Sequence, residues 1–463
     1  MTFKVKTDSR RIKKGDTFVA LKTIESDGHK YIQNAIDAGA ELIVCSEGVY
    51  DAATLVVDDT KEYLNQYLQT TYKEIFDKMK IIVVTGTNGK TTMAYLTYQA
   101  LNFLGSKCAY LGTLGFFKKE GKKYKLDNTT PGLCEVYEAM VDAYNDGYEF
   151  FVLEASSQGL AQHRLDTLKY DYAVFTNLTH DHLDFHKTME NYAQAKLQVF
   201  KDLKKSGKAF INYDDKYRDY YSLPENTNIT FGKNGGDYVI KDYNFTYAGT
   251  SFKIENNNQI YDFQMPLIGE YNIYNVTPVI AILRDLGYSF DEIKKAVSKL
   301  QNGKGRMETV IYKNNLIIVD YAHTPDGIQK IVETVKQVIK GKIYIIFGVR
   351  GNRDRTKRPE MTKIATTNAA QTIITTNHLN HEDINQIVSD LVSGAANKNY
   401  EVILDRKKAI EKGISYLNEN DALLILGKGH EDYLNLGDHT IHFDDIEEVN
   451  KIIEELNVKQ WLN

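Results

Sequence analysis

At 463 residues, 42% hydrophobic and 26% charged, the chain is too long for one core and has the make-up of a globular protein of about three domains. A net charge of −5 gives no basic excess for nucleic acid or anionic lipid, and no run of about eighteen apolar residues marks a membrane span. Cys45, Cys108 and Cys134 have neither metal nor disulfide-framework spacing, and the N-terminus carries no apolar leader, so the expected compartment is the cytoplasm.

Residues 1–78 read as a small mixed α/β module. It has a Gly15-Asp16 turn, a strand over 17–21, the loop Ser26-Asp27-Gly28-His29, a helix over 31–38 and a strand over 42–45. Gly28 and His29 stand either where a ligand approaches closely or in a plain structural turn.

Residues 79–304 form the next module. Apolar strands over 81–84, 150–153 and 172–175 alternate with helices over 133–144 and 191–203, which implies a mostly parallel sheet covered on both faces. Ligands of such sheets sit at the carboxyl ends of the strands. The first strand runs into Gly86-Thr87-Asn88-Gly89-Lys90-Thr91-Thr92, after which Met93, Leu96, Ala100, Leu101 and Leu104 recur at helical spacing. A turn of this kind aims backbone N–H groups and a helix N-terminus at a polyphosphate, while Lys90 adds charge and the Thr91 hydroxyl suits Mg²⁺. The generic phosphate-loop spelling is only partly met, because Val84 stands where its first glycine belongs.

Glu154 and Asn177 directly follow two other strands of this module. Between Thr176 and His186 lie three histidines and two aspartates, a set that suits a divalent cation when read with Thr91 and Glu154, and a polar loop when read alone. Lys196 lies on the helix that follows, and spacing alone does not mark it. The stretch 226–264 reads as short strands and hairpins, and 269–286 as a helix rich in small and apolar residues.

Residues 305–463 restart the alternation after a hinge at Asn302-Gly303-Lys304-Gly305. Strands are expected over 316–319, 343–347, 372–375 and 422–426, with helices over 325–339, 384–392 and 406–417, giving a second doubly wound unit. Asp320 and His323 stand at a strand-to-helix turn, where they either touch a nucleotide or cap the helix. The loop Gly348-Val349-Arg350-Gly351-Asn352-Arg353 offers guanidinium groups for a carboxylate or phosphate, and Gly427-Lys428-Gly429-His430-Glu431 ends a strand with two glycines.

Taken together, the Gly86 to Thr91 loop, the Thr176 to His186 run, Asp320-Tyr321-Ala322-His323-Thr324-Pro325-Asp326 and Gly427 to Glu431 resemble the Mur ligases of bacterial cell-wall synthesis. The likeness is greatest to the branch that adds the third peptide residue to UDP-N-acetylmuramoyl-L-alanyl-D-glutamate. It implies three α/β domains: a UDP-sugar-binding domain at 1–78, an ATP-binding domain with a P-loop doubly wound sheet at 79–304, and a Rossmann-like amino-acid-binding domain at 305–463. It also implies ATP, two Mg²⁺ ions, and an acyl phosphate that the incoming amine attacks.

Residue by residue, the resemblance assigns Thr91 and Glu154 to one metal ion, and His182 with a carbamylated Lys196 to the other. Thr87, Asn88, Gly89, Lys90, Thr91, Thr92, Asn177, Asn275, Arg306, Asp320 and His323 match ATP contacts. Ser26, His29, Asn128, Thr129, Thr130, Ser156, Gln162 and Arg164 match contacts to the UDP-sugar dipeptide. Arg353, Asn377, His378, Asn380, Gly427 and Glu431 match the amino-acid site. The expected partners are that dipeptide and a free L-amino acid, with no nucleic acid and no membrane insertion, and the chain is expected to act as a monomer.

The likeness has gaps. Enzymes that add meso-diaminopimelate carry Asp-Asn-Pro-Arg where this chain reads Asn377-His378-Leu379-Asn380, so a guanidinium for the distal carboxylate is missing there. Diaminopimelate is therefore disfavoured, and Arg353 with Glu431 points to L-lysine or L-ornithine. Gln158 replaces a histidine, and Arg350 and Asn352 replace a glycine and an aspartate. Two alternatives stand beside this reading: a paralogue or folylpolyglutamate-type ligase acting on another carboxylate, and a nucleotide-binding relative without turnover. Retention of Lys90, Glu154, His182 and Lys196 argues against the latter.

Overall fold

A computed structural model of the chain describes residues 1–22, 26–119, 121–126, 128–246 and 249–461. Strand Lys80–Thr85 lies inside an eleven-stranded sheet, and Ile81, Ile82, Val83 and Val84 are fully buried. Alternate side chains enter opposite layers: Ile82 and Val84 pack with helices Lys90–Phe103 and Glu270–Asp285, while Ile81 and Val83 pack with helices Leu133–Asn145 and Met189–Lys201. Each such side chain contributes roughly 1.5–3 kcal/mol, which explains a strand without polar positions.

Strands Phe150–Glu154 and Tyr170–Phe175 flank this strand in parallel, with Val83 opposite both Leu153 and Ala173. The loops after all three strands therefore leave from one edge of the sheet. The stretch expected as short strands and hairpins has them, and they extend the same sheet. Thr227–Gly232 pairs in parallel with Leu203–Asn212, Tyr238–Thr246 follows it in parallel, and Gly249–Asn256 and Gln259–Met265 add on antiparallel.

The opening module is a four-stranded parallel sheet of Val5–Lys6, Thr17–Val19, Leu42–Cys45 and Thr54–Val56. Its first long strand stops at Val19, two residues short of the expectation. The expected helix over 31–38 begins earlier, as a 3-10 turn over Gly28–Tyr31 capped by the Asp27 side chain, and becomes α-helical over Ile32–Asp37. Lys6 and Arg11 pair with Glu138 at 2.6 and 2.7 Å, and Tyr72 packs on Tyr137, fixing this sheet to the central one.

The third sheet has strands Asn315–Asp320, Ala422–Leu426, Ile343–Phe347, Gln371–Ile374 and Tyr400–Val402 as parallel neighbours, with Glu308–Tyr312 antiparallel at its edge. Helix Pro325–Lys336 starts as its sequence asks: proline occupies the first turn and the Thr324 hydroxyl accepts from the Gly327 N–H at 3.1 Å. Thr324, and neither Asp320 nor His323, is the cap.

The carboxyl edges of the second and third sheets face each other. Asn88 Nδ2 donates to Asp326 Oδ2 at 2.7 Å, Arg306 Nη2 to Thr91 Oγ1 at 3.2 Å, and Lys357 Nζ to Asp181 Oδ1 at 3.1 Å across the gap. Among the described residues no helix is long and apolar enough to cross a membrane.

Candidate active site

The loop after strand Lys80–Thr85 is folded tightly against the neighbouring strand end. Gly86 has φ +147°, and a Cβ there would lie 1.9 Å from Thr176 Oγ1; Gly89 has φ +87°, and a Cβ there would meet Asn275 Oδ1 at 2.4 Å. Both positions exclude a side chain on space as well as on backbone conformation. Thr87 N donates to Asn177 O at 2.8 Å, Asn88 N to Asn177 Oδ1 at 3.0 Å, and Thr176 Oγ1 to Asn88 O at 2.7 Å, so Asn177 shapes the loop from outside it.

Two lysines meet at the Gly86 carbonyl. Lys90 Nζ and Lys196 Nζ each donate to that oxygen at 2.8 Å, and Lys90 also donates to Thr87 O at 2.8 Å. Lys196 is 1% exposed and lies over the Tyr192 ring, 4.6 Å from its centroid. Burial pushes its amine well below the ordinary lysine range, and the charge of Lys90 adds to that against the pull of Asp181. His182 stands on the same side: burial lowers its imidazole to about 4, Asp181 opposes this, and Lys90 and Lys196 reinforce it. A neutral imidazole keeps a lone pair for a ligand.

Glu154 is 1% exposed and collects four donors. Tyr110 OH reaches Oε1 at 2.5 Å and Thr113 N reaches it at 2.9 Å, while the Thr91 and Thr113 hydroxyls reach Oε2 at 2.8 and 3.0 Å. A carboxylate beside a hydroxyl supplies two hard oxygen donors, the sparse protein set that Mg²⁺ takes when phosphates and waters complete its shell. Thr91 and Glu154 therefore fit that ion. The second set fits less directly, because Lys196 as an amine offers no anionic oxygen beside His182. Among the described residues no three histidine, cysteine or acidic side chains form a metal-binding group.

Asp181 is buried between the sheets. Burial works against its charge, but Lys357, His182 and His323 outweigh this and hold the carboxylate well below the usual range. His323 lies with its Nε2 3.8 Å from Asp181 Oδ2. Asp320 accepts from Met307 N and Ala322 N, both at 2.7 Å, and burial raises its carboxyl against the attraction of Arg306.

Three cavities adjoin these groups. The largest, about 450 Å³, runs between the sheets and is lined by Asn88, Gly89, Asn275, Arg306, Asp320 and His323 among others. A second, about 90 Å³, lies between Asp181, His182 and Asp184 on one wall and Arg350, Arg353 and Lys357 on the other. A third, about 340 Å³, is lined by Gln158, Gln162, Arg164, Asp184, Phe185 and Arg353. Asp184 and Arg353 line both smaller cavities, which puts a strong anion receptor where they meet.

Profiles of known families match over most of the length: the Mur ligase family catalytic domain at 4–72, the Mur ligase middle domain at 84–283 and the Mur ligase glutamate ligase domain at 305–429. A UDP-N-acetylmuramoyl-L-alanyl-D-glutamate–2,6-diaminopimelate ligase of Clostridium acetobutylicum is 35% identical over 457 residues, covering 97% of this chain and 94% of its own. The chain belongs to the Mur ligase family. A solved structure of a UDP-N-acetylmuramoyl-L-alanyl-D-glutamate–2,6-diaminopimelate ligase superposes with TM-score 0.67 at 31% identity, covering 98% of this chain and 95% of that one. The MurF ligase of Thermotoga maritima, solved with ADP, superposes with TM-score 0.73 at 21% identity over 99% and 98%, a likeness of fold.

In this Mur ligase the residues expected at ATP gather as one group: Thr87 on the loop and Lys90 and Thr91 in the first turn of the helix after it, with Asn88, Gly89, Thr92, Asn177, Asn275, Arg306, Asp320 and His323 on the walls of the large cavity. Thr129, Thr130 and Ser156 pack beside Glu154: Thr129 Oγ1 is 3.0 Å from Thr113 Oγ1, and Thr130 Oγ1 donates to Glu154 O at 2.8 Å and accepts from Ser156 N at 2.9 Å. Arg164 Nη1 donates to Thr130 O at 2.8 Å. Asn128 and Ser26 are exposed.

His29 has both ring nitrogens engaged, Nδ1 with Asp27 Oδ1 at 2.8 Å and Nε2 with Ser46 N at 3.0 Å, and a Cβ on Gly28 would lie 2.8 Å from Leu21 N. These contacts give that loop a structural basis of its own. Tyr110 and Thr113 on Glu154, Tyr192 under Lys196, and Tyr271 and Tyr274 on the large cavity were not singled out. Only Tyr192 carried a signal, four residues before Lys196 on one helix face.

Of the residues expected at the amino acid, Asn377 Nδ2 donates to Gly427 O at 3.1 Å, and Asn380 Nδ2 to Gly351 O at 3.2 Å. Arg353 is exposed and makes no hydrogen bond or ion pair among the described residues.

Proposed function

We propose that this chain is the ATP-dependent ligase that adds the third amino acid to UDP-N-acetylmuramoyl-L-alanyl-D-glutamate in peptidoglycan synthesis, acting as a cytoplasmic monomer. The observation that carries this reading is the convergence of Lys90 and Lys196 on the Gly86 carbonyl, with His182 and the Thr91–Glu154 pair alongside, at the meeting of two sheet edges. A pure nucleotide binder has no use for the Lys196 side of that arrangement.

ATP lies in the large cavity with its phosphates on the loop N–H groups and Lys90. Mg²⁺ held by Thr91 and Glu154 offsets phosphate charge when bound. The D-glutamate carboxylate reaches the γ-phosphate past Gln162 and Arg164; one of its oxygens bonds phosphorus as ADP leaves. The incoming amine attacks the acyl carbon, the C–O bond breaks, phosphate departs with that oxygen, and the amine gives up a proton. Lys196, its basicity depressed by burial, adds to CO₂ through nitrogen with loss of a proton, and the resulting carbamate would stand beside His182 as the anionic oxygen donor for a second Mg²⁺. Arg306 and Asp320 approach from the third sheet and exclude water from the acyl phosphate.

For the amino acid, we propose the diaminopimelate class named for the relatives in place of L-lysine or L-ornithine. Both supports for the latter weaken here: Asn380 indeed brings no guanidinium, but Arg350 lines the same cavity as Arg353, and Glu431 is already engaged by protein groups. The test supplies purified protein with ATP, Mg²⁺ and the UDP-dipeptide, and screens the proteinogenic L-amino acids, ornithine and the diaminopimelate isomers for amide product by mass spectrometry. Phosphate release is expected only with an accepted amino acid. Release indifferent to every amino acid contradicts the proposal.

A further inference from the structure

The small cavity facing His182 holds more positive charge than one α-carboxylate needs. Of its cationic lining, Lys357 is paired with Asp181 at 3.1 Å and Arg358 with Glu382 and Asp390 at 2.7 and 2.9 Å. Arg353 has no such partner among the described residues. Arg350 is tied through one nitrogen alone: Nη2 pairs with Glu431 Oε1 and stands 3.5 Å from Tyr433 OH, while Nε and Nη1 make no hydrogen bond among the described residues. Two planar, charged forks thus remain for ligands in one small space, and an amino acid uses two only when it has two carboxylates.

The opposite reading, an acid waiting for a side-chain ammonium, does not suit Glu431. It lies behind Arg350, off the cavity wall, and both its oxygens are committed. Asn435 N donates to His378 Nδ1 at 3.0 Å, which leaves the proton of a neutral ring on Nε2, and Nε2 donates to Glu431 Oε2 at 2.8 Å. An ammonium would have to face the Arg350 charge or break a buried ion pair to reach Glu431. Of the acids on the cavity wall, Asp181 holds Lys357, and Asp354 accepts from Thr356 N at 2.9 Å. Asp184 makes no ion pair among the described residues, and it stands on the central-sheet wall, where the reacting α-amine must come.

We propose that Arg350 receives the side-chain carboxylate of the incoming amino acid and sets specificity for an acid-terminated over an ammonium-terminated side chain. This rests on the ligase reading above and adds to it the residue that selects the side chain.

Two truncations of diaminopimelate separate the charges: L-2-aminopimelate keeps the distal carboxylate alone, and L-lysine keeps the distal amine alone. With ATP, Mg²⁺ and the UDP-dipeptide, the wild type is expected to favour aminopimelate in kcat/KM. Arg350→Ala should lower the aminopimelate-to-lysine ratio by about 30-fold or more, chiefly through KM, as expected when one partner of a charged hydrogen-bonded pair is removed. Arg350→Lys should restore part of the loss. Glu431→Gln, which frees Arg350 without removing it, should raise the ratio and serves as the second variant should Arg350→Ala fold poorly.

A wild type that prefers lysine overturns the assignment of Arg350 and leaves the ligase reading intact. So does a ratio unmoved by Arg350→Ala or lowered by Glu431→Gln. Absence of amide with every amino acid overturns both.

Discussion

Lys196 sits where an ammonium is costly and a neutral amine is not: 1% exposed, on an aromatic ring, sharing a carbonyl with another lysine. Only an unprotonated amine adds CO₂, so the surroundings that depress its basicity also favour the carbamate we propose. Lys196→Ala is expected to lower turnover roughly 10²–10³-fold, the usual size for loss of one electrostatic group at a reacting centre. Short carboxylic acids such as acetate should restore part of it, and CO₂-depleted buffer should slow the wild type until bicarbonate is added. Full activity of the variant removes this role. From the sequence nothing distinguished this lysine from a solvated one, because desolvation is a property of the fold. Gly86 and Gly89 were legible, since their chemistry is local backbone geometry. The Arg350 and Glu431 pair was not, because it joins residues 81 positions apart.

At the level of elements, uniformly apolar runs were the most readable. The strands at Leu42–Cys45, Ile343–Phe347 and Ala422–Leu426 and the helix Ile384–Val392 have the expected bounds, since both faces are covered or one stripe is plainly apolar. Helices Thr60–Thr71, Arg358–Asn368 and Asp445–Trp461 were missed. Their polar faces and long-range anchors hide the period. One anchor matters to the site. Arg406 and Asp445 are both fully buried and paired at 2.7 Å, and Arg406 also donates to Thr376 O and Leu426 O at 3.3 Å, the strand ends that lead to Asn377 and Gly427. Arg406→Leu strands the Asp445 charge and should cost about 3–5 kcal/mol, read as a lowered denaturant midpoint at unchanged slope. A loss below about 1 kcal/mol, the size of a surface pair, contradicts that anchor.

On the scale of the whole molecule, the alternation of strands and helices was enough to predict parallel sheets with their ligand edges, but not that two such edges would face each other. That pairing depends on Asn88 with Asp326, Thr91 with Arg306 and Asp181 with Lys357, contacts 176 to 238 residues apart. It brings the Gly86 to Thr91 loop, the acidic and basic lining and the small cavity beside Arg350 together, and the central proposal is that a carboxylate is phosphorylated there before the amine arrives. The direct test is oxygen tracing. The UDP-dipeptide is prepared with ¹⁸O in the side-chain carboxylate of D-glutamate and turned over with ATP, Mg²⁺ and an accepted amino acid. The account predicts one ¹⁸O atom in each released phosphate; amide formed alongside unlabelled phosphate would contradict it.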